Sequence, residues 1–424
     1  MLAKMLARQL DRIGIHYCWV MVALTFLNLI CSSAVVSLMG VLIAPIRQEF
    51  AWDTADVSGA IALMFVLFAC TAPFSGALML RYGVTRIVAL SASLAVAGLS
   101  ITTMVDAKWQ LCVSIGVFLG IAAGMVGLGL AATVASRWFV IRRGLAVGLL
   151  TAASAAGQLT FLPVAAWLST TYGWRTAVVP ALVGGAVCAI LFLLFGRDWP
   201  ADIDLPPYGE KRIAPAPPAS VTGAIAVSLG TLREASNLPI FWILAGTFFV
   251  CGLSSTGIVQ QHFIPFCADN NVDAVTAASY LGIMGACNFV GTVVSGWLSD
   301  RFDNRMLLTS YYGLRGLSLI WLPFSDFSVV ALTIWAVFFG LDFVATVPPT
   351  VRLAGQHFGA AKGPVLFGWI FAAHQFGSAT AAYGSGVTRD SILTYLPAFV
   401  IAGVLCLLAA FLFAAIRAAR PVTA

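Results

Sequence analysis

What most constrains this chain is a succession of apolar stretches, each long enough to cross a lipid bilayer, separated by short charged turns. A crossing helix needs about 20 residues at a rise of about 1.5 Å each. Six such stretches fall at 17–44, 57–80, 86–105, 109–136, 144–170 and 175–196. Six more follow at 239–266, 274–299, 306–323, 327–351, 363–387 and 393–416. Inside hydrocarbon every backbone polar group needs a partner within the protein, so spans of this length are expected to be helices. The expected fold class is therefore an all-α polytopic membrane protein with twelve transmembrane helices. With 60% hydrophobic and only 9% charged residues, 424 residues could not cover a soluble surface.

Between the two sets lies Arg197 to Leu238, which carries Pro200, Pro206, Pro207, Pro215, Pro217 and Pro218 among charges of both signs. It reads as a linker, so the expected domains are 1–196, a six-helix bundle, 197–238, a cytoplasmic Pro-rich linker, and 239–424, a second bundle. Eighteen of the 23 Lys and Arg residues fall on one side of this topology, Arg417 and Arg420 among them. Four lie on the other side, and Arg315 alone lies within a span. That bias places both termini in the cytoplasm and the protein in the inner, cytoplasmic membrane. Lys4, Arg8 and Arg12 then mark an amphipathic cytoplasmic lead rather than a cleaved signal, because the apolar run behind them is long enough to span.

The same residues narrow the function. Nine cysteines without CxxC or Cys/His ligand spacing read as small hydrophobes, so no disulfide, metal or cofactor is expected. No nucleophile, metal cluster or pair of carboxylates sits near a membrane face, so an enzyme is not expected. The net charge of +6 follows from the loop bias and does not point to nucleic acid. The expected partners are the bilayer and a small-molecule substrate, with protons as the candidate coupling ion and a monomer as the functional unit.

The halves also repeat. Gly76-Ala-Leu-Met-Leu-Arg81 answers Gly296-Trp-Leu-Ser-Asp-Arg301, each between the second and third spans of its set. Arg143-Gly144 answers Lys362-Gly363, each opening a fifth span. Two matches at nearly one offset indicate a duplicated six-helix unit.

At these loops the chain resembles the major facilitator superfamily over essentially its whole length. The family's loop G-x-x-x-D-R-x-G-R-R is matched by Gly296, Asp300, Arg301 and Arg305, with Asp303 in place of its glycine. In the first half Gly76, Arg81, Gly83 and Arg86 match, and Leu80 stands where the family has its aspartate. The resemblance implies a cytoplasmic gate at Gly76, Arg81, Arg86, Gly296, Asp300, Arg301 and Arg305. Trp138-Phe-Val-Ile-Arg142-Arg143-Gly144-Leu-Ala-Val-Gly148 further resembles the fifth-helix signature of monocarboxylate porters and their bacterial relatives. That similarity implies secondary transport of small organic anions, proton-coupled uptake by alternating access. The eighth span has no arginine, the residue many of these porters use for a substrate carboxylate. A porter or exporter of a larger or neutral metabolite, such as an aromatic compound, a vitamin or a drug, is therefore the alternative.

Several polar side chains fall within the spans. Asp342 is the one acid that cannot be moved to a membrane edge, and a carboxylate at that depth needs a partner, a proton or water. Arg315, on the preceding span, should lie level with it, both roughly 14 Å deep. Their pairing can be a static prop or a switch that couples to protons, and binding of the substrate anion is the other role open to Arg315. Pro348 and Pro349 withhold two backbone donors and should bend or break the helix beside Asp342. His262 and His374 are candidate ligands or proton carriers. With Asn28, Gln158, Asn288 and Gln375 they complete the candidate substrate cavity, with interhelical hydrogen bonding as the competing role.

Overall fold

The computed structural model describes residues 2–213 and 221–415; the side chains at 128, 154–156, 158–160, 221–222, 224, 360–361 and 364 are outside the description. Pro215, Pro217, Pro218, Arg417 and Arg420 lie outside the described residues, as does the side chain of Gln158. Twelve spanning helices run through the rest. They are α1 (Cys18–Phe50), α2 (Thr54–Tyr82), α3 (Val84–Thr102), α4 (Lys108–Trp138), α5 (Arg143–Tyr172) and α6 (Trp174–Phe195). After the linker come α7 (Pro239–Asp269), α8 (Ala274–Ser299), α9 (Asn304–Trp321), α10 (Val329–Gly359), α11 (360–392) and α12 (Leu396–Ala415). Among the described residues, nine of these are long and apolar enough to cross a membrane by composition alone. The more polar α9 carries the buried Arg315.

The turns have local causes. Asp273 accepts from the amides of Val275 and Thr276 and so opens α8, and Ser328 accepts from Ala331 to open α10. Arg142 sits in the left-handed region at φ 61°, turning the chain sharply before α5. Arg143 then reaches back to donate to the carbonyls of Phe139 (3.1 Å) and Ser136 (3.4 Å) at the end of α4. The Arg-Arg-Gly signature is thus the device that folds α5 back against α4. The linker joins this turn, because Tyr208 N donates to Trp138 O at 2.8 Å and Val140 N donates to Tyr208 O at 3.0 Å.

The linker is more ordered than its prolines suggested. Val221–Ala235 forms a helix docked on α11, where Trp369 Nε1 donates to Ser228 O at 3.2 Å and Lys362 pairs with Glu234. The prolines end at Pro218, leaving a stretch free to be helical. Leu2–Arg12 is likewise a helix, tucking Ala3 and Ala7 against the protein and pairing Lys4 with Asp204 at 2.7 Å.

The two sets of six meet in a symmetric pattern. α2 packs along α11, α5 along α8, and α1 against α7. Advancing each helix by six exchanges the first two pairs and maps the third onto itself, as a duplicated unit requires. Aromatic edges bridge α2 and α11, Phe68 with Phe371 at 5.8 Å and Phe74 with Trp369 at 5.6 Å. Gly40 lets α1 approach α7 closely, since a β-carbon there would lie 2.7 Å from Gln260 O.

Candidate substrate and coupling site

α10 is regular from Val329 to Asp342, tightens over residues 343–346, and resumes at Val347 with Pro348 and Pro349 in its first turn. Within the tight stretch amides bond three residues back instead of four, as Ala345 N does to Asp342 O at 3.1 Å and Val347 N to Val344 O at 3.0 Å. The break thus precedes the prolines, which start the second segment, and it releases carbonyls of residues such as the buried Asp342 and Ala345. Those carbonyls are met by side chains of neighbouring helices. Ser295 Oγ on α8 donates to Ala345 O at 2.5 Å, at the acceptor that the amide missing from Pro349 would otherwise have used. Arg315 Nη2 on α9 donates to Asp342 O at 2.6 Å and to Phe343 O at 3.2 Å.

The same guanidinium holds the carboxylate. Arg315 Nε donates to Asp342 Oδ2 at 2.5 Å, and Nη1 donates to Cys251 Sγ on α7 at 3.1 Å. Four N–H groups of Arg315 are thereby engaged within the protein, and the side chain is fully buried. In this conformation it is a clamp on the broken helix and presents no face to a substrate carboxylate. Asp342 Oδ1, by contrast, is buried and has no hydrogen-bond partner among the described residues.

His374 on α11 lies beside the same thiol and is 3.3 Å from Thr256 Oγ1 through Nε2, with its ring stacked on Phe371 at 5.5 Å. Its neighbour Gln375 is buried with Oε1 unpartnered among the described residues. His262 lies apart from this cluster. Its Nε2 donates to Ala382 O at 2.7 Å in the half of α7 far from the termini. Asn28 lines a cavity of about 30 Å³ with Cys31, Ser32 and Ser91 inside the first six helices, enough for a water or two. Asn288 on α8 accepts from Thr292 Oγ1 at 3.2 Å.

The loops at the end where the termini lie are pinned within each half. Asp300 pairs with Arg352 at the end of α10, Arg301 lies 4.0 Å over the Trp297 ring, and Arg305 donates to Asp303. The Arg305 guanidinium beside Asp303 holds its carboxyl below the usual carboxylate range. Gly76 and Gly296 have open space around them, Arg81 covers the Tyr82 ring at 5.0 Å, and Arg86 is exposed. Where Leu80 replaces an acid, Asp198 from the end of α6 accepts from Thr85 N at 2.8 Å and so caps α3. Arg137 reaches Met79 O and Asp198 O beside it.

Sequence reasoning missed Cys251, Asp198 and Thr346, whose Oγ1 lies 3.3 Å from Cys251 Sγ at the break of α10. Cys251 was read as a small hydrophobe, and its contact with Arg315 depends on how α7 packs. The readable signal on α7 was the run Ser254-Ser255-Thr256 with Gln260-Gln261 in mid-span, over which the helix widens to a π-turn at Leu253–Val259. Gln260 Nε2 from this stretch donates to Ser37 Oγ on α1 at 2.9 Å, joining the two sets of helices. Among the described residues no group of three or more His, Cys, Asp or Glu is placed to hold a metal ion.

Twelve helices in two related sets, with a broken helix and a buried ion pair inside the second set, have the architecture of a polytopic membrane transporter. The sequence pattern of the Major Facilitator Superfamily matches residues 25–382, and the chain belongs to that family. It is a transporter and not an enzyme. It is 24% identical over 404 residues to the uncharacterized MFS-type transporter YcxA of Bacillus subtilis (strain 168), covering 89% of this chain and 90% of that protein. It is 25% identical over 393 residues to monocarboxylate transporter 13 of Rattus norvegicus, covering 91% and 85%. A crystal structure of a D-xylose-proton symporter shares the fold with a TM-score of 0.70 at 13% identity, covering 94% of this chain and 97% of that one.

Proposed function

We propose that this transporter moves small organic acids of the monocarboxylate type together with a proton, by alternating access, inward across a bacterial inner membrane with both termini in the cytoplasm. The observation that carries the reading is the unpartnered Oδ1 of Asp342 at the break of α10. Protonating that carboxylate weakens its hold on Arg315, and the guanidinium also clamps the two carbonyls freed by the break. One proton therefore acts on both the ion pair and the helix bend, which is the coupling that symport needs. The similarity to proteins named monocarboxylate transporters and the Arg142-Arg143-Gly144 signature support the substrate class.

Uptake of a labelled monocarboxylate into proteoliposomes tests this. An inward proton gradient should accelerate it, a protonophore should abolish the acceleration, and Asp342→Asn should transport without responding to the gradient. Uptake indifferent to both pH and protonophore would sink the coupling. The full burial of Arg315 favours a second reading, a larger or neutral metabolite, because four of its N–H groups are held within the protein and the side chain faces no substrate carboxylate in this conformation. A thermal-shift screen of carboxylates against neutral aromatics separates the two readings.

A further inference from the structure

Asp390, near the end of α11, belongs to no motif and to no part of the coupling cluster. Its carboxylate crosses to the first six helices. Oδ1 accepts from Thr54 N at 3.1 Å and Oδ2 from Ala55 N at 2.6 Å, the two leading amides of α2. Those amides have no carbonyl to bond within their own helix, and a carboxylate against a helix N-terminus also meets its positive end. The adjacent Arg389 behaves differently. It is held by Asp269 at 2.6 Å and 3.0 Å within its own half.

Beneath this contact α2 and α11 run close together. A β-carbon on Gly386 would lie 2.8 Å from Ser58 Oγ and 3.1 Å from Ala55 Cα. The seam is polar and poorly satisfied. Thr54 Oγ1 and Ser58 Oγ on α2 and Ser385 Oγ on α11 are buried without hydrogen-bond partners among the described residues. Each would regain hydrogen bonds to water if the seam parted, so side-chain hydrogen bonding within the seam does little to keep it shut. We propose that Asp390 is the positioning residue that latches the transporter closed on the membrane face opposite the termini, and that releasing it exposes the seam below. The latch is independent of which solute is carried.

The test is labelling of Ser58→Cys by a membrane-impermeant maleimide applied from that face, read residue by residue as peptide masses in full-length protein in proteoliposomes. The buried native Cys188 reports general loosening in the same digest. Adding Asp390→Ala is expected to speed labelling at position 58 about tenfold while Cys188 stays unlabelled, as a shift in the population of open molecules requires. Asp390→Asn, which keeps one acceptor, should give an intermediate increase and carries the test if the alanine variant does not fold. Arg389→Ala, which frees Asp269 within one half, should leave labelling at 58 unchanged. An unchanged rate in both Asp390 variants overturns the latch, as does an equal increase from Arg389→Ala or a parallel rise at Cys188.

Discussion

Arg315 and Asp342 show how little of a residue's role is contained in its charge. A buried pair replaced as a unit by apolar residues is often tolerated, but a pair that loses one member leaves an uncompensated charge, at a cost of about 3–5 kcal/mol. Arg315→Gln and Asp342→Asn should therefore each lower the melting temperature in detergent sharply. The double variant should lose much less than the sum, which a double-mutant cycle reads directly. Arg315→Lys should behave like the glutamine variant, since a lysine cannot reach the carboxylate and two carbonyls with one planar fork. If all three fold as the parent does, the clamp is not holding the helix.

His16 offers a pH test outside the spans. Its Nδ1 accepts from Cys18 N at 3.2 Å while Nε2 donates to Pro206 O at 3.1 Å, so a second ring proton has no place. Burial pushes its pKa below the usual histidine value. A lowered folded pKa means that its contribution is complete above about pH 6.5 and is lost as pH falls toward the folded value. The melting temperature of the parent should thus fall more steeply below that pH than that of His16→Gln.

At the scale of elements, α10 works because it is broken in one place and supported there from outside. Pro349→Ala restores an amide opposite Ala345 O, where it would compete with Ser295. The helix should stiffen, so transport is expected to fall several-fold while thermal stability holds or rises by about 1 kcal/mol or less. Uptake rates beside melting curves read both quantities. Gly291 sets the opposite kind of limit. A β-carbon there would sit 1.9 Å from Leu341 O, so Gly291→Ala must push α8 off α10 and should destabilise by about 1–3 kcal/mol. The linker teaches a related lesson. Proline content marked it as irregular, yet its proline-free stretch docks as a helix through Ser228 and Glu234, partners that composition does not name.

At the scale of the whole molecule, the proposed alternating access has bundles 1–196 and 239–424 rocking about the α1–α7, α2–α11 and α5–α8 contacts. The orientation is testable independently of transport. Green fluorescent protein fused after Ala424 should fluoresce, and alkaline phosphatase inserted at the 325–328 turn should be active. The reverse pattern would invert the topology and with it the direction assigned to the proton step.

The number and order of the spanning helices were legible from the sequence alone. A bilayer demands about 20 apolar residues per crossing whatever the neighbours are, and the basic residues declare the loops. The family motifs were legible too, because they serve local turns such as the one Arg142 and Arg143 make. Tertiary structure alone decided which polar groups meet. That Arg315 would engage Cys251 and two carbonyls, that His262 would bond Ala382, or that Asp390 would cap a helix of the other half depends on rotations and helix separations of a few ångströms. Apolar patterning in a membrane leaves these open, since lipid and protein interior are nearly alike to a hydrophobic side chain. Only the few polar atoms, each needing a partner, select one packing from the many that the spans allow.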